Sequence, residues 1–300
     1  TNALNEVVSV TMNPLPTAGI SSDQTICAGD ATSIIFNLDP TGASPYDVEW
    51  TDGTNITVSN GIFDGFEVNP VLSADGQVCL LSISDNANPT CSSTLNECVD
   101  ITVNDLPSVD ITGQVSICTD DCYDLLLDNF IGQAPFVLEY QVVAQSNGAV
   151  LETQSVAGLQ NGDFITICPS EAAVVEVLSL SDANTPICES LTSTSFIIDF
   201  IPLPTAALSA LDGSGTVSIC EGDVLELNLT LTGTGPWEVA HDFAGQASPL
   251  IVNASPYTWD LGAISSSFDV NLLSVFDQSS ACTNALNEVV SVTMNPLPTA

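Results

Sequence analysis

Apolar and polar residues alternate along most of this chain in short runs, and Gly, Pro, Asn and Asp break the runs at close intervals. A period of two sends successive side chains to opposite faces of an extended backbone, so each run reads as a half-buried β-strand. In the first third of the chain the pattern predicts strands over Thr32–Leu38, Val48–Thr51, Ile56–Ser59, Ile62–Val68, Val78–Ser84 and Val99–Val103. Asn60-Gly61 and Asn147-Gly148 fall between such runs and predict two-residue hairpin turns, because both residue types accept the positive φ those turns require. No apolar run approaches the ~18 residues of a membrane-spanning helix, so no membrane insertion is expected.

The same pattern returns at long range. Thr1 to Ala18 reads TNALNEVVSVTMNPLPTA, and Thr283 to Ala300 repeats that run at an offset of 282. Such an identity implies one period of a longer array plus a short overlap, taken from the interior of a larger chain. Within the period, a Leu-Pro dipeptide marks NPLP from Asn13, NDLP from Asn104, IPLP from Ile201 and NPLP from Asn295, at nearly equal intervals. Three further landmarks follow each Leu-Pro in order. These are TICAGD, SICTDD and SICEGD; then PYDVEW, PFVLEY and PWEVAH; then SISDNANPTC, SLSDANTPIC and SVFDQSSAC.

Short strands at regular spacing describe sandwiches. The expected fold is all-β, with three tandem immunoglobulin-like β-sandwich domains forming one period of a longer repeat array. The expected divisions are 1–12 as the last strand of a preceding domain, 13–103, 104–200 and 201–294 as the three domains, and 295–300 as the start of the next repeat. In the assembled protein, Thr1–Met12 is expected to complete a sandwich like the one that holds Thr283–Met294. Pro-containing junctions of a few residues limit bending between domains.

Charge narrows the class. The chain carries 37 acidic residues and no Lys or Arg, where ordinary usage would give about 35 basic side chains. Nothing here can neutralise phosphates or sulfates, which excludes nucleic acid and other polyanions as partners. Chains without Lys or Arg also offer no site to trypsin-like proteases, which suits an extracellular location, as does an acidic surface in salty water.

Ten cysteines point to disulfides in an oxidising compartment. Each domain has one Cys before its second strand (Cys27, Cys118, Cys220) and one in the loop before its last strand (Cys91, Cys188, Cys282). Pairing within each domain is the default expectation, and closing loops of roughly 60–70 residues would stabilise each domain by about 4 kcal/mol. Against it, these two positions lie at opposite ends of an immunoglobulin sandwich. The alternative joins Cys27 to Cys188 and Cys118 to Cys282, stapling each domain to the next and continuing across repeat boundaries. Cys79 and Cys98 flank a hairpin centred near Asn88 and are expected to face each other, which leaves Cys122 to pair with Cys168.

Catalytic chemistry finds little to work with. His241 is the single histidine and stands where Trp50 and Tyr140 stand in the other domains, a structural position. With no Lys or Arg the chain also lacks the usual positioned bases and oxyanion-stabilising cations, and a hydrolase triad could be assembled only around this one histidine. No catalytic residue and no cofactor are expected, and the chain reads as non-enzymatic. Asp120, Asp121 and Asp124 cluster beside a turn and are weak candidates for calcium, without any spaced ligand loop. Trp50 and Trp237 fall in the third strand, where sandwiches place a core aromatic.

The order Cys-x-Gly-Asp, Pro-aromatic, Ser-x-Ser-Asp-x-x-x-x-x-Cys and Leu-Pro resembles the immunoglobulin-like repeats of giant surface adhesins of gliding Bacteroidetes. That resemblance covers all three domains and implies export by the type IX secretion route, cell-surface attachment and a role in adhesion or gliding. The acidic composition and long repeat also resemble the grappling-hook filaments of prey-catching marine relatives. The second domain departs from the motif, with Asp120 where the others have Gly29 and Gly222, and an altered turn is expected there.

Near-identical repeats favour a structural segment of a giant extracellular filament or stalk used in surface adhesion or in prey or cell capture. The alternative is an adhesin module that binds carbohydrate or protein through its sandwich loops. Expected partners are other copies of the same chain in a filament or bundle, since a mean hydropathy above zero suits apolar surface covered by neighbours. A cell-surface anchor and a target surface are expected to engage regions outside this segment.

Overall fold

The computed structural model describes residues 7–39, 42–191 and 193–298. Among them the chain is all-β, and its strands form sheets that pack as three tandem immunoglobulin-like sandwiches.

The first sandwich holds β1 (Ala18–Ile20), β2 (Gln24–Cys27), β3 (Ile34–Leu38), β4 (Tyr46–Thr51), β5 (Ile56–Ile62), β6 (Phe66–Val68), β7 (Gly76–Ser84) and β8 (Ser92–Asn104). One sheet has the order β1-β3-β6 and the other β2-β8-β7-β4-β5. The chain therefore changes sheets between β1 and β2. Strand β1 runs antiparallel to β3, whereas β2 runs parallel to the final strand, with Cys27 opposite Asn104.

The second sandwich repeats the plan with β9 (Gly113–Cys118), β10 (Tyr123–Leu127), β11 (Phe136–Ala144), β12 (Val150–Leu159), β13 (Asp163–Ile167), β14 (Ala173–Ser181), β15 (Glu189–Ser190) and β16 (Ser195–Ile201). Here a single bridge between Ser108 and Ile131 stands where the first sandwich has β1. The third holds β17 (Ala206–Ala210), β18 (Thr216–Cys220), β19 (Val224–Leu231), β20 (Trp237–His241), β21 (Leu250–Val252), β22 (Tyr257–Ala263), β23 (Phe268–Asp277) and β24 (Cys282–Asn295).

Alternation decides what each strand buries. In β3, Ile34, Phe36 and Leu38 point inward while Ile35 and Asn37 face solvent. The equivalent inward sets are Leu125 and Leu127 in β10, and Leu225, Leu227, Leu229 and Leu231 in β19. Each sandwich closes on its own core, and a buried Leu or Ile contributes roughly 1.5–3 kcal/mol. Trp50, Tyr140 and His241 are all buried at equivalent places in the third core strand. A register shift against the neighbouring strand falls beside each of the three.

Several sequence expectations change at this level. Asn60-Gly61 makes no hairpin. Strand β5 runs through it, and the two residues bulge opposite Asp47, whose Oδ1 accepts the Gly61 N–H at 2.8 Å. The reversal comes at Phe63–Gly65, where the chain crosses to the other sheet, so the Asn-Gly pair reports a positive φ and not a topology. Asn147-Gly148 does lie in a hairpin, but within a longer loop closed by the Ala144 N–H donating to the Ala149 carbonyl.

Of the run 1–12, expected to complete a preceding sandwich, residues 1–6 lie outside the described residues and 7–12 join no sheet. Val7, Val8, Val10 and Met12 are exposed, whereas in the identical run 289–294 Val290 and Val292 are buried. The difference is that β23 and β18 flank the second run.

The turn at Asp120 is not altered. Asp120 takes φ 71°, close to the 89° of Gly29 and Gly222. In all three domains the N–H of the following Asp donates to the carbonyl of the Cys that opens the turn, at 3.0–3.1 Å. Aspartate tolerates the left-handed region better than most side-chain-bearing residues, but less well than Gly. Asp120→Gly is expected to stabilise the second domain by roughly 1 kcal/mol, and Gly222→Ala to destabilise the third by about 1–2 kcal/mol, both measured by urea unfolding. Opposite signs at equivalent positions are the outcome that tests the shared turn.

Candidate functional site: the stapled junctions

The last strand of each domain fixes where its cysteines sit. Cys91 immediately precedes β8, Cys188 immediately precedes β15 and Cys282 opens β24. The same interval of chain separates Cys91 from Asn104, Cys188 from Ile201 and Cys282 from Asn295. In the first domain that interval is β8 itself, an unbroken strand of 13 residues. At about 3.3 Å per residue it spans about 40 Å.

Cys27, Cys118 and Cys220 lie beside the far ends of these strands, opposite Asn104, Ile201 and Asn295 in the parallel register. The N–H of the next residue donates to the same strand-end carbonyl in every case: Ala28 to Asn104 at 2.8 Å, Thr119 to Ile201 at 3.1 Å and Glu221 to Asn295 at 2.9 Å. A disulfide needs its two Cα atoms within about 7 Å, so the default pairing within each domain is ruled out by length.

The bonds cross the joints instead. Cys27 joins Cys188 with a Cα–Cα distance of 5.5 Å, and Cys118 joins Cys282 at 5.7 Å. Each bridges a very short connection, from Asn104 to Pro107 or from Ile201 to Pro204. The Leu-Pro marks are part of this arrangement. Ser190 Oγ donates to the Pro107 carbonyl, Asn284 Nδ2 donates to that of Pro204 at 2.9 Å, and Ser93 Oγ donates to that of Pro16. Each donor lies two positions after a loop cysteine, so the entry of the chain into a domain is held beside that cysteine, which in the second and third domains receives the staple.

The loop that presents this cysteine is organised by a buried carboxylate. Asp85, Asp182 and Asp277 are all buried, with no Lys or Arg in the protein to pair with them. Backbone amides take that role. Asp85 Oδ1 accepts from Cys91 N–H at 2.8 Å and Ala87 N–H at 3.2 Å. Asp182 Oδ1 accepts from Cys188 N–H and Asn184 N–H, both at 3.1 Å, and Asp277 accepts from Thr234 at 2.7 Å and Ser279 at 2.9 Å. The Cys91 N–H holds the Asp85 carboxyl below the ordinary aspartate value. For Asp277 burial pulls the other way, and the amides of Thr234, Ser279, Ser280 and Gly235 outweigh it. The recurring Ser-x-x-Asp landmark marks these aspartates in the sequence without revealing their task.

Of the remaining cysteines, Cys79 and Cys98 face each other across β7 and β8 and are bonded, and Cys122 is bonded to Cys168. Cys91 and Cys220, expected in disulfides, are free. Each stands at a staple position, and the cysteines of opposite kind in the neighbouring domains already serve other joints. Four disulfides in one chain are the chemistry of an oxidising compartment and mark an extracellular or secreted segment.

The other sequence candidates take no part in the disulfide bonds themselves. Asp124 accepts from Thr166 Oγ1 at 2.6 Å across β10 and β13, and Asp121 continues the turn that Asp120 forms. Among the described residues, no three His, Cys, Asp or Glu side chains converge as a metal site would require. His241 is core: its ring packs 4.7 Å from that of Trp259, and Nε2 lies 3.1 Å from the Ala247 carbonyl. Trp50 and Trp237 are buried, their Nε1 donating to Ser59 Oγ and to the Thr232 carbonyl.

Two outcomes check the junction chemistry. Non-reducing peptide mapping, with a protease that cuts at acidic residues, is expected to recover Cys27 with Cys188 and Cys118 with Cys282; Cys27 linked to Cys91 would refute the geometry. A carboxyl held below its unfolded value of about 3.9 stabilises fully above that pH and loses its contribution as pH falls through the folded value. Asp85→Asn is therefore expected to lower the melting temperature at pH 7, with the gap to the parent narrowing as pH falls below the ordinary aspartate range.

No family model matches the chain. It is 28% identical over 187 residues to the nucleoporin pom152 of Schizosaccharomyces pombe; the match takes in 60% of this chain but only 14% of that protein's length. Among solved structures, the I67-I69 fragment of the titin I-band is 12% identical, covering 93% of this chain and 98% of that one, with a TM-score of 0.40. The N-terminal four immunoglobulin domains of Dscam1 isoform 6.9 are 11% identical, covering 94% and 74%, with a TM-score of 0.26. The fibronectin(III)-like modules of Clostridium thermocellum CbhA are 10% identical, covering 64% and 95%, with a TM-score of 0.27.

Proposed function

We propose that this chain is a non-enzymatic, tension-bearing segment of an extracellular filament or stalk that serves surface adhesion or the capture of prey or cells. Export by the type IX route and attachment to a cell surface belong to this reading through the resemblance to gliding-bacterium adhesins. The observation that carries it is the covalent bypass at the two joints. Under tension, a chain of sandwiches without staples lengthens each time a domain unfolds, because the released backbone becomes slack. Here the shortest covalent route from Cys27 to Cys282 avoids most of the backbone.

From Cys27 the route crosses to Cys188, then follows the backbone back to Cys168. It crosses to Cys122, follows the short stretch to Cys118 and crosses to Cys282. The two backbone stretches, 168–188 and 118–122, together extend to about 85 Å at ~3.5 Å per residue. The direct backbone from 27 to 282 extends to about 890 Å on the same scale. Cys122–Cys168 thus serves the joints as well as its own domain: without it, the route follows the whole stretch 118–188 and reaches about 245 Å. A ligand-binding module has no use for inextensibility between its ends.

Single-molecule stretching between handles at the two ends of the chain tests this reading. The oxidised protein is expected to allow no more than about 85 Å of backbone between Cys27 and Cys282, and the reduced protein the full length of about 890 Å. Cys122→Ala with Cys168→Ala is expected to give an intermediate limit near ~245 Å. Full-length release from oxidised protein would remove the mechanical argument.

A further inference from the structure

We propose that Cys220 and Cys91 are the two halves of a third staple, formed between consecutive copies of this unit, so that the covalent bypass continues from one period into the next. The inference rests on the tension-bearing reading and extends it beyond one period.

The unpaired cysteines are complementary in kind. Cys220 has every local feature of the bonded Cys27 and Cys118. It ends a strand parallel to the domain's last strand, it lies opposite the terminal residue Asn295, and the following N–H donates to the Asn295 carbonyl at 2.9 Å. The N–H of Asp223 closes the same turn onto its carbonyl at 3.1 Å. Cys91 has the features of the bonded Cys188 and Cys282. Its Sγ lies 3.8 Å from the carbonyl two positions earlier, against 3.7 Å in each of the others, and the side chain two positions later holds the Leu-Pro carbonyl.

Within each kind the free cysteine is the more exposed one: Cys220 is exposed where Cys27 is buried and Cys118 half-buried, and the loop cysteines differ in the same sense. Cys188 and Cys282 are completely buried by their joints, whereas Cys91 is half-buried and Cys220 exposed.

The repeated sequence independently supplies the partner. Asn295-Pro296-Leu297-Pro298, leading away from Cys220, is the same tetrapeptide as Asn13-Pro14-Leu15-Pro16, leading toward Cys91. In the two bonded joints, one cysteine lies opposite the residue that opens the tetrapeptide's place, Asn104 or Ile201, and its partner lies beside the proline that closes it. Cys220 lies opposite Asn295, and Cys91 lies beside Pro16. Overlaying the shared tetrapeptide therefore brings Cys220 of one copy and Cys91 of the next to the two sides of a joint of the same length. Bond formation joins two thiols as a disulfide and passes two electrons and two protons to the thiol oxidant of the secretory compartment, the same class of oxidant that makes the other four bonds.

The test is a chain with two copies joined in phase, residues 1–282 followed by residues 1–300, expressed in an oxidising compartment. Two independent copies would leave four reactive thiols, since each leaves Cys91 and Cys220 free; the proposal expects two. Non-reducing digestion of the monomeric species is expected to yield a Cys91–Cys220 peptide. Cys220→Ser in the first copy is expected to raise the count to three, and in the second copy to lower it to one. Four thiols in the monomer, or Cys91 bonded to any other cysteine, would overturn the proposal. The same digest reports Cys27–Cys188 and Cys118–Cys282, so their survival without the third bond would sink this inference and leave the reading of the single unit standing.

Discussion

The separation between the two ends of each domain's final strand governs the covalent plan of this protein. Backbone running from the loop cysteine to the strand's last residue, unbroken in β8 and β24 and divided between β15 and β16 in the middle domain, holds one cysteine at the entrance of a sandwich and the other at its exit, about 40 Å apart in the unbroken cases. No rotamer choice or loop adjustment closes that gap. Each exit cysteine can meet only the entrance cysteine of the domain that follows, a few positions further along the connection. Strand length, parallel register and the short Leu-Pro connection together turn a cysteine pattern that looks intradomain into one that runs between domains.

A chain without cations has to solve a second problem at the same place. The joint loop buries a carboxylate, and burial raises the free energy of a charge unless something compensates. Asp85, Asp182 and Asp277 are compensated by peptide N–H groups of their own loops and of the loop that leads into the third core strand. Those amides are directional, so the loop has one shape, and the cysteine at its end is aimed before any disulfide forms. Hydrogen bonds to peptide groups need no long flexible side chain to be ordered, which is a loss that a Lys or Arg partner would entail.

Much of this is legible in the sequence because the information is local. Alternation in IIFNL or VLELNLTL reports the buried face directly, and the symmetric placement of Cys79 and Cys98 about a hairpin reports a cross-strand neighbour. What the sequence hides depends on distant chain. A bulge and a hairpin use the same Asn-Gly signal, and at Asn60-Gly61 the choice turns on which sheet receives the next strand. Strands β1 and β2 are too short to show a period. The identical runs at 7–12 and 289–294 differ in their neighbours, since β18 and β23 flank only the second, so whether this run forms a strand depends on its sheet partners and not on its own residues. At Asp120 residue type alone points to a different turn, yet the backbone angle matches that of the two glycines.

The Cys122–Cys168 bond has a consequence for recovery after overload. If the middle sandwich loses its fold, its two ends stay tethered through the short stretches 118–122 and 168–188, and the bond still divides the interior between them. Loop-closure entropy is then already spent, and the melted strands search for one another at a high effective concentration. On the tension-bearing reading, a segment built this way is poised to refold in place once load is removed.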